Sequence, residues 1–315
     1  MMLRLRGCVI AVLIFAASPA SAQNSAGTER FDRVAKVGAG SELFVSNVRG
    51  ETRITPGTSG QIEIHAVKRP STRHPGDNES VANTTIDVSA TANRVDVRVD
   101  TSRRNQSVAD VDFDIRVPPD CSIDVRTVSG DLRVNAVNGS VRAQAVSGNV
   151  ALEGTPGIAA AKTVSGSVTI TRAGGDAATE IGTVSGDITL NGFKGRAVSF
   201  RTVSGKTQVA DATADRIDFH SVSGGFDFTG TLSRGGRYDL ESHSGHIRLA
   251  IAEQPGFEVG ISTFSGPIAV DFSTRSEGPL QSRAGRREPM RGVYGDGSAS
   301  LMVRTFSGGV TIKRR

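Results

Sequence analysis

The residues best able to hold a metal are His243-Ser244-Gly245-His246, with Glu241 two positions upstream and His220 earlier in the chain. Zinc takes three or four converging nitrogen, sulfur or carboxylate ligands. Here the two imidazoles flank a turn, so nothing in the spacing brings their rings together, and they are read as turn histidines. Serine nucleophiles are the next possibility. Nine serines precede a glycine: Ser129-Gly130, Ser147-Gly148, Ser165-Gly166, Ser185-Gly186, Ser204-Gly205, Ser223-Gly224, Ser244-Gly245, Ser265-Gly266 and Ser307-Gly308. A catalytic serine needs a histidine and an acid to activate it. No such partners recur with these nine, so they are read as structural turns.

Polysaccharide cleavage would require carboxylates grouped on neighbouring strands. The residues after the glycines are Asp131, Asn149, Ser167, Asp187, Lys206, Gly225, His246, Pro267 and Gly309, and two repeats without an acid separate the aspartates. The Gly-Gly-x-Gly-x-Asp repeat of calcium-binding β-helices is missing. No catalytic residue, cofactor or metal is therefore expected. The favoured reading is a non-catalytic binding scaffold, and the alternative is a polysaccharide-acting enzyme on a β-helix.

What positions these residues is a repeat. Successive Ser-Gly pairs are 18, 18, 20, 19, 19, 21, 21 and 42 residues apart, the last being twice 21. A fixed period near 20 marks a solenoid or strand array. Two residues after each glycine stand Leu132, Val150, Val168, Ile188, Thr207, Phe226, Ile247, Ile268 and Val310, and two further on Val134, Leu152, Ile170, Leu190, Val209, Phe228, Leu249, Val270 and Ile312. Only Thr207 is polar among them, and mostly polar residues lie between. That alternation describes a strand with one face buried. A second strand precedes each Ser-Gly, with an apolar residue four positions back and Thr, Ser or Ala two back.

Serine then glycine suits a type II corner better than a tight hairpin reversal. Corners at ten-residue intervals wrap a chain into coils. The expected fold is all-β: a β-solenoid of about nine ~20-residue coils over 121–315, with a β-sandwich or meander as the alternative. Residues 23–120 read as an N-terminal β region out of phase with the array, capping its open edge. Strands are expected at Leu43–Val48, Arg53–Ile54, Ile62–Ile64, Val95–Val99 and Val111–Val117, and a loop over 69–84. An insertion at 273–297 carries Pro279, Pro289 and five arginines, as a closing cap, a binding loop, or both.

The residue before each serine raises a sharper question. It is Val128, Val146, Val164, Val184, Val203, Val222, His243, Phe264 or Phe306. Strict alternation aims this column outward as an apolar binding stripe. A corner that resets strand parity turns it into the core instead, and that second outcome is the expectation adopted here.

The N-terminus bears on compartment. Arg4 and Arg6 precede an apolar run, Val9–Ala17, closed by Ala20-Ser21-Ala22, which is the pattern of a cleaved export signal over 1–22. The expected location is the periplasm, or the outer envelope and beyond. Removing Arg4 and Arg6 leaves 35 basic residues against 32 acidic, a net charge of +3. Only Lys313–Arg315 and the Arg283–Arg291 stretch are locally basic, which gives no concentrated face for nucleic acid. Expected partners are an envelope protein, a glycan, or further copies of the chain. The two tyrosines and the lack of tryptophan disfavour sugar stacking.

Val117-Pro118-Pro119-Asp120, Ile123-Asp124-Val125 and Thr127-Val128-Ser129-Gly130-Asp131 resemble the bacterial adhesin-like family of β-strand-repeat proteins catalogued as domain of unknown function 4097. Phe44-Val45-Ser46-Asn47-Val48-Arg49-Gly50 is similar to its usual opening. The resemblance covers roughly 31–315 and implies an envelope-associated β-repeat protein, with no established ligand.

Overall fold

The computed structural model describes residues 27–71, 78–100, 108–272 and 290–315. The expected leader, 1–22, and most of the 273–297 insertion lie outside the described residues. The chain is all-β and β-solenoid-like, with a single six-residue helix, Asn78–Asn83, among the described residues. That helix falls where a loop was expected. Strands Glu29–Lys36 and Thr85–Ala90 were not anticipated from the sequence either.

Strands stack in two ladders whose inward faces share one hydrophobic core. In the first, Glu42–Arg49, Ser122–Ser129, Val141–Ser147, Ile158–Ser165, Gly174–Ser185 and Lys194–Ser204 lie parallel, each repeat upon the last. The second ladder stacks Thr52–Pro56, Leu132–Asn135, Val150–Glu153, Val168–Thr171 and Ile188–Asn191 in the same way. The long strand Thr207–Ser221 bends from one ladder into the other. Parallel neighbours in register place like beside like, so Leu132, Val150, Val168 and Ile188 form one buried column.

Two features depart from the sequence reading. Residues 42–56 are in phase with the array. Leu43 aligns with Ile123, Val45 with Val125, Asn47 with Thr127 and Arg49 with Ser129. Arg49 stands where the other repeats carry serine, which hid the rung. The last repeats also stack out of sequence order. Ala299–Thr305 and Val310–Arg314 slot in beside Arg237–Ser242 and Ile247–Ile251, and Phe257–Thr263 with Ile268–Val270 packs outside them.

The ends of the ladders change pairing. Thr85–Ala90 runs antiparallel to Arg94–Asp100, and Met290–Tyr294 antiparallel to Phe257–Thr263. Glu29–Lys36, Gln61–Arg69 and Asp110–Val117 form an antiparallel edge on the second ladder. Antiparallel strands laid over a parallel stack break its repeat, which stops the open edge from templating further strands.

Candidate binding surface: the outward valine column

The corner itself differs from a type II turn, whose glycine sits near φ +80°. Gly130, Gly148, Gly166, Gly186 and Gly205 have φ of 148°, 155°, 151°, 147° and 119°. These strongly positive values lie in a region open essentially to glycine alone. A second requirement is spatial, because these glycines stack. A Cβ on Gly148 would fall on the carbonyl oxygen of Gly130, one on Gly166 on that of Gly148, and one on Gly186 on that of Gly166. The column starts at Gly50 and ends Gly245, Gly308, Gly266, tracing the same swapped order as the strands.

Hydroxyls two residues before the serine close several of the corners from inside, although Ala145 has none to offer and Thr127 Oγ1 finds no partner. Thr163 Oγ1 donates to the Gly148 carbonyl at 3.0 Å and Thr183 Oγ1 to that of Gly166 at 3.1 Å. Ser221 Oγ accepts from Gly224 N–H at 2.7 Å, and Thr263 Oγ1 from Gly266 N–H at 2.9 Å. In these four repeats the hydroxyl satisfies a peptide group of the corner. The Thr-Val-Ser-Gly motif thus has its threonine turned inward.

Its valine is turned outward, which overturns the expectation of burial. Val164 is 48% exposed and Val184 46%, and Val128, Val146, Val203 and Val222 are as open. Parity is indeed reset at the corner, since Thr127 and Leu132 both face inward although they are five positions apart. The reset falls at the glycine, after the valine has already pointed away. The column continues through His243, Phe306 and Phe264. These three rings stack face to face, with centroids 4.8 Å apart and planes within 4° of parallel. Phe264, at the end, is 71% exposed.

Beside the valines runs a groove of about 650 Å³. Its floor is the threonine row, and its far wall is the row two residues before the valines, including Arg126, Gln144, Lys162 and Arg201. Glu180 ties this wall together, receiving Lys162 Nζ and Arg201 Nη1 at 2.7 Å each. Pairing with Lys162, then with Arg201, holds its carboxyl below the usual carboxylate range against a smaller opposing effect of burial.

The other residues singled out by type are engaged elsewhere. Asp131 Oδ1 accepts from Asn149 N–H at 2.9 Å, and Asp187 Oδ1 from Lys206 N–H at 2.7 Å. They cap the next rung of backbone. His243 lies in the aromatic stack, His246 Nδ1 accepts from Gly309 N–H at 3.2 Å, and His220 Nδ1 faces Glu241 at 3.6 Å. Each histidine therefore has a different task. Arg314 pairs with Glu253 and Arg315 with Asp211, which dissipates the basic terminus. The described residues contain no group of three or more His, Cys, Asp or Glu placed to hold a metal.

The Toastrack DUF4097 family model matches residues 40–313. The chain belongs to the Toastrack family. No curated relative matches it. Among solved structures, it is similar to a candidate adhesin from Bacteroides fragilis (14% identity, 90% of this chain and 97% of that one, TM-score 0.45). It is also similar to a candidate lipid-binding protein from Parabacteroides distasonis (10%, 91% and 96%, 0.41). A third is a candidate cell adhesion protein from Clostridium sporogenes (10%, 91% and 100%, 0.29). The family model over 40–313 confirms the family resemblance read from the Thr-Val-Ser-Gly repeats. No helix among the described residues of this Toastrack chain is long and apolar enough to cross a membrane.

Cys121 is fully buried, and desolvation pushes its thiol up to about 11. A thiol that stays protonated is a poor nucleophile. The native protein should therefore leave Cys121 unlabelled by a maleimide at pH 8, with full labelling on denaturation. Rapid labelling without denaturant would contradict this burial.

Proposed function

We propose that this Toastrack protein is an exported, non-catalytic scaffold of the cell envelope, a rod of about nine ~20-residue coils that binds a partner along the valine column. Its leader is 1–22, and residues 23–120 open the stack ahead of the Ser-Gly array. The outward column is the observation that carries this reading. Exposed apolar patches that run unbroken across many repeats mark interaction surfaces more often than singly exposed residues do. The available acids and histidines meanwhile serve the backbone and one another. Solenoids generally present extended surfaces for binding, because each repeat adds one more copy of the same contact.

The test is capture from the source organism's envelope fraction by the purified protein and by a Val164→Asp/Val184→Asp variant. Both sites are half open to solvent, so melting should shift by less than about 0.5 kcal/mol per site. The wild type should retain an envelope component that the variant loses at least tenfold. Equal capture by both, or release of reducing sugar from envelope polysaccharide by the wild type, would overturn the reading.

A further inference from the structure

Asn138 and Asn191 each precede a glycine. With no side chain on the next residue, the following backbone nitrogen has its freest approach to an asparagine carboxamide. The fold treats these two pairs differently. We infer that Asn138 is a site of spontaneous deamidation in the native protein, and that the ladder protects Asn191.

Packing imposes the glycine at position 139. The coils have a second corner, where the chain returns from the second ladder to the first, and there Gly139, Gly157, Gly175 and Gly195 stack. A Cβ on Gly139 would fall on the Cys121 carbonyl oxygen, and one on Gly157 on that of Gly139. One on Gly195 would press on that of Gly175. The residue before each glycine varies freely, being Asn138, Pro156, Gly174 and Lys194 in turn. The glycine is therefore fixed by its neighbours, whereas the asparagine is not.

Hydrogen bonding separates the two asparagines. Asn138 N–H donates to Pro119 C=O at 2.7 Å, and Ser140 C=O accepts from Ile123 N–H at 2.7 Å. Between these anchors, Gly139 N–H has no hydrogen-bond acceptor among the described residues. Asn138 is exposed, so water reaches its carboxamide. Asn191 is exposed as well, but its peptide is clamped. Gly192 N–H donates to Ala210 C=O at 3.0 Å, and Asn191 C=O accepts from Arg172 N–H at 2.9 Å. Asn191 is also a rung of the second ladder, in register with Thr171 and Ala210. A nitrogen held in a ladder must first be released by local opening.

The reaction needs only water and a general base. The Gly139 nitrogen gives up its proton and bonds to Cγ of Asn138. Nδ2 takes up a proton and leaves as ammonia, closing a five-membered imide. Water then opens the ring at either carbonyl, yielding aspartate or isoaspartate. Both products add one negative charge to the corner. The isoaspartyl product also routes the chain through the former side-chain carbon, lengthening it where Gly139 stands on Cys121.

Storage of the purified native protein at pH 8 over days, followed by trypsin digestion and mass spectrometry against a zero-time digest, tests this. Residues 134–142 carry Asn138 in one tryptic peptide, and 173–194 carry Asn191 in another. The first should gain one mass unit at least about tenfold faster than the second. It should also become a substrate for an isoaspartyl methyltransferase. In guanidinium, where no ladder remains, the two rates should converge. Asn138→Gln should melt as the wild type does and lose the signal, which assigns it to residue 138 over Asn135 in the same peptide. Equal rates in the native protein would overturn the inference. So would conversion of Asn138 only in guanidinium, or a signal that persists in the Asn138→Gln protein.

Discussion

Gly148→Ala is expected to destabilise the protein by about 3–5 kcal/mol, and Gly154→Ala, six residues on, by about 1 kcal/mol. Both glycines have positive φ, 155° and 62°. Their surroundings differ. At Gly154 the nearest atom to an added Cβ is 3.8 Å away, an ordinary contact. The cost there is that of holding alanine in the left-handed region, partly offset by a less flexible unfolded chain. The fold already bears this cost, since Ala136, Arg172 and Asp211 have φ of 52°, 53° and 50°. Along the first corner no side chain is tolerated, and ten glycines occupy it from Gly50 to Gly266. At Gly148 the methyl would strike the Gly130 carbonyl, and the neighbouring coil would have to separate. Urea denaturation would measure both. Equal shifts in midpoint at constant slope would refute close stacking as the reason for glycine.

The Ser-Gly period made the array legible, and the apolar residues two and four places after each glycine do face the core. Thr163 and Thr183 could be seen to recur, but their role could not, because the carbonyls they bond belong to the preceding coil. The outward valines were missed for a local reason. Counting alternation across a corner requires knowing where parity resets, and one residue's difference reverses the answer. The rung at Asn47–Gly50 was masked by Arg49, whose guanidinium donates to Ser71 Oγ at 3.2 Å. Stacking order was the least legible feature. A period states that strands stack but not which follows which, since every rung offers the same backbone ladder. One signal was available: Thr263-Phe264-Ser265-Gly266 and Thr305-Phe306-Ser307-Gly308 alone carry phenylalanine in the column, and they are neighbours in space.

Phe226→Ala should cost about 3–5 kcal/mol, the range for emptying a buried aromatic site. Its ring is buried, with its centroid 4.6 Å from that of Phe219 and 6.0 Å from that of Phe200. Phe219 and Phe200 come from the opposite ladder, so these three rings join the two faces of the core. Thr207, the one polar residue two or four places after the nine Ser-Gly glycines, is the rung paired with Phe226. It is fully buried, and its hydroxyl oxygen has no hydrogen-bond partner. An unpaired buried hydroxyl costs about 1–3 kcal/mol. Thr207→Val keeps the shape and removes that penalty, so it should stabilise the protein by about 1 kcal/mol while Phe226→Ala weakens it. The two rungs touch the same core, so their effects should couple in a double-mutant cycle. A Thr207→Val variant less stable than the wild type would show that the hydroxyl is satisfied in solution. The column's break at Thr207 would then serve hydrogen bonding instead of being an accommodation to the large rings beside it.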